Sequence, residues 1–208
     1  MEFMRDHFGP SKEEIWKQFA DEIGGRFIGS TWQGDKVEAK HGEWIVTLDW
    51  YTVYGGGRFG GGSVTFTRMR APYINPDGFR FLVYPSNIIA EAAKCFGLQD
   101  ITVGYPEFDK AFIIKGNDEQ KLKRLFANPR IRELIPTQMG VNFRVLDDET
   151  NLWSARGFPP NVDELFFKTA DLIKNVDELK RLYELFSETL DELCCIGSAY
   201  KDAPDIKL

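Results

Sequence analysis

The chain has 208 residues, of which 43% are hydrophobic and 14% aromatic, so it can bury a sizeable core as one large domain or two small ones. Its formal net charge of −6 disfavours a whole-protein electrostatic role on nucleic acid or on an anionic membrane, and leaves local basic patches open. The sequence shows no apolar signal region, no run near the roughly 18 apolar residues of a transmembrane helix and no disulfide framework, which together predict a reduced, cytoplasmic protein with no membrane partner.

The first predicted element is a helix over residues 12–23. Ser11 and Glu14 have the spacing of a capping box, and apolar residues recur on one face behind them until Gly24 ends the pattern. Short β-like runs follow. The longest of these, WIVTLDWYTVY at 44–54, alternates apolar and polar residues as a half-buried antiparallel strand does.

A glycine-rich stretch, GGGRFG at 55–60, connects this strand to a return strand at 63–70 and satisfies the G-x-G-x-x-G pattern of nucleotide-binding loops. Its context argues against that chemistry. A strand follows where a dinucleotide-binding fold needs a helix, and no lysine occurs in 63–84, where a kinase needs one. We therefore expect a hairpin turn rather than an anion cradle.

The remaining elements mix strands with short helices. We expect strands at 79–84 and 111–115, helices near 88–96 and 119–126, a helical turn after Asn128, and a hairpin around the acidic turn 147–149. This order lacks strict βαβ alternation. It predicts one α+β domain spanning 1–208, in which residues 26–158 form an antiparallel sheet of about seven or eight strands and short helices on one face.

A long C-terminal helix is predicted over residues 161–196 from a repeat. NVDEL occurs at 161–165 and again at 175–179, and apolar residues continue at the heptad a and d positions through 162–193. The first asparagine of the repeat is expected to cap the helix. Part of this heptad stripe forms a helix seam, which we expect to be the interaction surface: Val176, Leu179, Tyr183, Phe186, Leu190 and Leu193.

Two arrangements of this helix fit the same periodicity. It can pack along its own sheet, or it can form a homodimer or dock a protein partner through 162–193. A kink near Asn175 would divide it into two ordinary helices.

A second surface combines basic and aromatic residues. Residues 77–84, DGFRFLVY, match part of an RNA-recognition signature, and the arginines around them could form a ligand or nucleic-acid surface: Arg58, Arg68, Arg70 and Arg80. A hairpin rather than a helix precedes this strand, which disfavours an RNA-recognition fold. Its aromatic residues are expected in the core.

No motif for catalysis or metal binding stands out. The two histidines lie far from the cysteines, so no zinc spacing exists, and Cys194 and Cys195 have no neighbouring histidine to activate them. Asp49, Glu107 and Asp109 are expected to be solvated or turn-forming acids. We predict no enzyme activity, no cofactor and no metal.

Residues 107–135 carry a set of recognisable features. They are a Phe-Asp-x-x-Phe strand from Phe108 to Phe112, an Asn-Asp turn at Asn117 and Asp118, and a helix that ends near Pro129. These features, with the long C-terminal helix, resemble a group of uncharacterised bacterial proteins and, more distantly, a bacterial domain family of unknown function. The resemblance implies a self-contained bacterial cytosolic domain and implies no activity.

The sequence thus predicts a non-enzymatic binding or protein-interaction module that self-associates through its C-terminal helix. One alternative is a small apolar-ligand-binding protein with a cavity between sheet and helix, lined by residues such as Trp44, Trp50 and Phe81. A single-strand nucleic-acid binder is the third hypothesis, which the negative net charge disfavours.

Overall fold

Nine strands form one antiparallel sheet in the computed structural model, which describes residues 10–30, 34–55, 62–88, 98–146, 158–204, 206 and 208. The strands are β1 Arg26–Ile28, β2 Lys36–His41, β3 Trp44–Tyr54, β4 Ser63–Ile74, β5 Phe81–Pro85, β6 Gln99–Asp100, β7 Phe112–Gly116, β8 Asn142–Leu146 and β9 Val162–Thr169. Their order across the sheet is β1-β2-β3-β4-β9-β8-β5-β7-β6. The α+β class is confirmed, and the sheet is slightly larger than predicted.

The helices are α1 Lys12–Glu22, α2 Pro106–Ala111, α3 Glu119–Leu125, α4 Pro129–Leu134 and α5 Val176–Cys195. The predicted capping box of α1 is present, because Ser11 and Glu14 each accept from the other's backbone amide. Asp118 and Asn128 cap α3 and α4 through their side chains, which satisfies amides that the helices themselves leave unpaired. None of the described helices combines the length and the hydropathy that a transmembrane span requires.

One face of the sheet carries the core. Alternate side chains point to this face, so directly paired positions on successive strands line up as a buried row. The row consists of Val37, Leu48, Met69, Phe167, Phe143, Val83 and Ile114. Helix α5 packs over it, and α5 in turn contacts α1, α3 and α4.

The predicted helix over 161–196 is wrong in its first half. Residues 162–169 form β9, which lies between β4 and β8 in the middle of the sheet, and the helix begins only at Val176. Asn161 does not cap a helix; it has a φ of 65° in the turn that leads into β9. Asn175 is the true cap, since its side chain accepts from the Glu178 amide.

The Phe-Asp-x-x-Phe segment is also different from the predicted strand. Phe108 and Asp109 lie in α2, and only Phe112 begins β7. The two phenylalanine rings still meet at a centroid distance of 5.0 Å, because the helix turns directly into the strand. The predicted glycine turn beyond Gly55, the predicted helix near 88–96 beyond its first residue, and the acidic turn 147–149 lie outside the described residues.

Candidate interaction surface

The helix seam faces the protein's own core. Leu179, Phe186, Leu190 and Leu193 have no solvent exposure, and Val176 and Tyr183 pack partly buried against the same core. The Phe186 ring lies 5.6 Å from that of Phe143 on β8. The arrangement with the helix on its own sheet is therefore the one present, and these side chains are covered without a second molecule.

Among the described residues, several of the exposed large apolar side chains lie together on the hairpin of β3 and β4, whereas Met139 and Tyr200 are exposed elsewhere. Both strands are longer than their neighbours: β2 pairs with β3 only as far as Leu48, and β9 pairs with β4 only from Thr67. Residues 49–54 and 63–66 therefore continue as a two-stranded ribbon, which we call the β-arm. Among the described residues, no strand pairs with the β-arm on either side.

The main-chain groups along the β-arm alternate between paired and outward-facing. The Gly55 amide donates to the Gly62 carbonyl at 2.8 Å, and hydrogen-bonded and non-hydrogen-bonded pairs alternate along an antiparallel ladder. The amides and carbonyls of Trp50, Thr52 and Tyr54 consequently face away from β4. We call this row the open edge of β3.

The opposite edge of the hairpin follows the same alternation. The outward residues of β4 are Ser63, Thr65 and Thr67, and the Thr67 amide donates to the Asp171 carbonyl at 2.9 Å. Thr52 and Thr65 face each other across the ribbon and their hydroxyls share a hydrogen bond of 2.9 Å. The β4 edge thus presents small polar residues.

Large apolar side chains crowd the β-arm. Tyr54 is 80% exposed, and Val53 and Val64, which pair across the ribbon, are 50% and 47% exposed. Next to the two valines, the rings of Tyr51 and Phe66 stack at 5.2 Å. Burial raises the pKa of the Tyr51 hydroxyl, so this ring stays neutral. A neutral apolar patch flanked by unpaired main-chain groups is typical of a docking surface.

Ion pairs connect the two strands at the base of the β-arm. Asp49 accepts two hydrogen bonds from Arg68, at 2.7 and 2.8 Å, and one from Arg70 at 2.5 Å. Glu164 on β9 lies 3.7 Å from Arg70. Burial alone would lower the pKa of Arg68, but its bonds to Asp49 outweigh burial and raise it, so the guanidinium stays charged.

Of the four arginines predicted to form a ligand surface, the structure brings two together. Arg68 and Arg70 share Asp49, whereas Arg80 precedes β5 and interacts electrostatically with Asp163. Arg58 lies outside the described residues. Arg68 also covers the Tyr51 ring at 5.1 Å, so the cation and the ring are already occupied with each other. Arg68 and Arg70 are therefore paired with a carboxylate, and the Tyr51 ring is covered, which disfavours phosphate neutralisation and base stacking at this face.

The three residues predicted to line a cavity between sheet and helix belong to the core or pack against it. Trp44 and Phe81 are fully buried core residues, and Trp50 packs partly buried against the same core. The space beside Phe19 and Tyr183 leaves no room for a water molecule. A different hollow exists between α2 and α4: an open groove of about 420 Å³ lined by Tyr105, Phe108, Ala111, Phe112, Pro129 and Arg132, among others.

The candidate acids and thiols have structural surroundings. Asp109 accepts hydrogen bonds from the amides of residues 103–105 at 2.9 to 3.0 Å, which closes the loop in front of α2. Burial raises the pKa of the Cys194 thiol and makes it a poor nucleophile. In the part of the chain described, no group of three His, Cys, Asp or Glu side chains could hold a metal ion.

Sequence reasoning missed the β-arm as a separate feature. The feature becomes visible only when the strands are paired: β3 and β4 have 11 and 12 residues, against 6 in β2 and 8 in β9, and part of the hairpin extends past both neighbours. Comparison of the chain with known proteins identifies no relative: no family model, no curated protein and no solved structure matches it.

Proposed function

We propose that this chain is a non-enzymatic protein-interaction module whose binding surface is the β-arm. The observation that carries the proposal is that the main-chain groups of Thr52 and Tyr54 face away from β4, where no described strand pairs with them, beside the exposed side chains of Val53, Tyr54 and Val64. An added strand would satisfy the first and cover the second. The helix seam is not part of this surface, because its residues already fill the core.

Two features support binding rather than mere exposure. The β-arm is held at its base by the Asp49 carboxylate and two arginines, so its direction from the sheet is fixed before any partner arrives. Its exposed valines, Val53 and Val64, are direct neighbours across the ribbon rather than scattered over the surface. We propose that this binding takes place in the cytoplasm, in agreement with the reduced cysteines expected from the sequence.

In-cell photo-crosslinking tests the proposal. A benzophenone amino acid is placed at Tyr54 and, as a matched control, at Tyr200, which is 53% exposed and hydrogen-bonds to Ile74 at the far end of β4. We expect a discrete light-dependent adduct from Tyr54 and none from Tyr200. Absence of an adduct at Tyr54, or identical adducts at both positions, would contradict the proposal.

A second candidate function is the binding of a small apolar ligand in the groove between α2 and α4. Its volume of about 420 Å³ is within the range of small-ligand sites, and aromatic side chains line it. Native mass spectrometry of the untagged protein would show an adduct that Ala111→Trp, which fills the groove, abolishes. An unmodified mass for the parent protein would argue against this function.

A further inference from the structure

We infer that the partner of the β-arm is a second copy of this chain, which pairs its open edge of β3 antiparallel to that of the first. The inference rests on the proposed function of the β-arm as a binding surface. It adds the identity of the partner and the register of the contact.

The register follows from the alternation of main-chain groups. Only outward-facing residues can exchange hydrogen bonds with an added strand, and on the exposed part of β3 these are Thr52 and Tyr54. A twofold axis at Val53 places Thr52 of each copy opposite Tyr54 of the other copy, which gives two equivalent pairs. Each such pair exchanges two main-chain hydrogen bonds in an antiparallel ladder.

The side chains fit the same axis. Val53 meets its own copy at a non-hydrogen-bonded position, where side chains approach most closely, and this contact covers a residue that is now 50% exposed. On the other face, the Tyr54 ring of one copy lies beside Thr52 of the other. Aromatic and β-branched neighbours of this kind are favourable cross-strand pairs.

Charge favours a second copy over a charged partner. A twofold contact sets the residue on the axis against its own copy, so a charge at position 53 would meet a like charge. Residues 50–55, WYTVYG, contain no charged side chain, although the chain as a whole has a net charge of −6. The edge of β3 is therefore an uncharged, self-complementary segment on an otherwise acidic protein.

The β4 edge is the weaker alternative. Its outward residues in the β-arm, Ser63 and Thr65, are small and polar and would bury little apolar area. At its inner end, the Thr67 amide already donates to Asp171. A strand added there would gain main-chain bonds but little side-chain contact, so the contact is assigned to β3.

A cysteine at the axis tests the contact. Val53→Cys puts two thiols opposite each other at a pair whose Cα atoms, about 4.5 Å apart in such ladders, suit a disulfide. Val64→Cys is the matched control, because Val64 is similarly exposed on the same face of the ribbon but lies one strand away from the axis. Under mild oxidation we expect at least tenfold more disulfide-linked dimer from the Val53→Cys protein than from the Val64→Cys protein. Mass spectrometry of the linked peptides measures both, so that native cysteines do not interfere.

A proline pair separates edge pairing from damage to the hairpin. Thr52→Pro removes a main-chain amide that points outward from β3. Thr65→Pro is at the position opposite Thr52 and removes an amide that points outward from β4. Each substitution also removes the hydrogen bond between the two threonine hydroxyls. In the Val53→Cys background, Thr52→Pro is expected to abolish the linked dimer and Thr65→Pro to leave it in place. Equal loss with both prolines, or equal linkage of the Val53→Cys and Val64→Cys proteins, would overturn the inference.

The outcomes also distinguish this inference from the proposed function. If position 54 crosslinks to a different protein while Val53→Cys links no better than Val64→Cys, the β-arm binds a partner but not its own copy. If position 54 crosslinks to nothing and Val53→Cys fails to link, both proposals fail.

Discussion

Replacing Phe186 by alanine tests whether α5 belongs to the core of its own chain. Phe186 has no solvent exposure and its ring lies 5.6 Å from that of Phe143, so the substitution removes a large buried side chain and leaves a cavity. Phe→Ala substitutions in cores lower the free energy of unfolding by about 3–5 kcal/mol. For a chain of this length that corresponds to a fall in Tm of roughly 6–20 °C.

The assay is urea unfolding of the parent and the variant at two protein concentrations about a hundredfold apart. Since the lost contacts are within one chain, the difference in free energy of unfolding should be the same at both concentrations. The matched control is Lys180→Ala, on the exposed side of the same helix, which should change stability far less. A small effect of Phe186→Ala, or one that grows with protein concentration, would refute the placement of the helix on its own sheet.

Three further predictions concern stability away from the β-arm. Asp163→Asn should stabilise the protein at neutral pH, because burial raises the pKa of the Asp163 carboxyl and the folded state therefore favours its neutral form; urea unfolding across pH measures this. Gly116→Ala should lower the free energy of unfolding by about 1–3 kcal/mol, since a Cβ there would collide with Leu122, and Tm reports it. Asp109→Ala should speed hydrogen exchange of the amides at 103–105, which lose their shared acceptor.

The pH prediction has a defined direction. A carboxyl whose pKa is raised on folding contributes stability below its ordinary pKa of 3.8, and this contribution is lost as pH rises through the folded value. The advantage of Asp163→Asn should therefore be small in acid and grow towards neutrality. An advantage that shrinks as pH rises would contradict the burial argument.

For Gly116→Ala the control is Gly62→Ala, where an added Cβ meets nothing within 4 Å.

The repeated pentapeptide shows why local sequence alone misplaced the last helix. NVDEL at 175–179 begins α5, with Asn175 as its cap, whereas the same letters at 161–165 enter β9. The first copy follows two prolines and precedes Phe166 and Phe167, and aromatic residues favour a strand. Pairing with β4 and β8 then determines the strand conformation of this segment. Such long-range pairing cannot be read from the heptad spacing of apolar residues.

Features fixed by local chemistry were predictable. The capping box at Ser11 depends on side chains three residues apart, so its spacing reveals it, and the caps at Asp118 and Asn128 are contacts of the same local kind. The β-arm depends on where β2 and β9 stop, and the position of β9 in the sheet follows from long-range pairing. Alternation correctly marked β3 as a strand but gave no information about which part of it would lack neighbours.

Amide exchange along β3, measured by NMR at increasing protein concentration, tests the central claim most directly. At low concentration the account predicts slow exchange for Tyr51 and Val53, whose amides bond to β4, and fast exchange for Thr52 and Tyr54, whose amides form the open edge. As concentration rises, Thr52 and Tyr54 should become protected. Fast exchange of these two amides at every concentration would contradict an edge that pairs with a second copy, and slow exchange at every dilution would contradict an edge that is open.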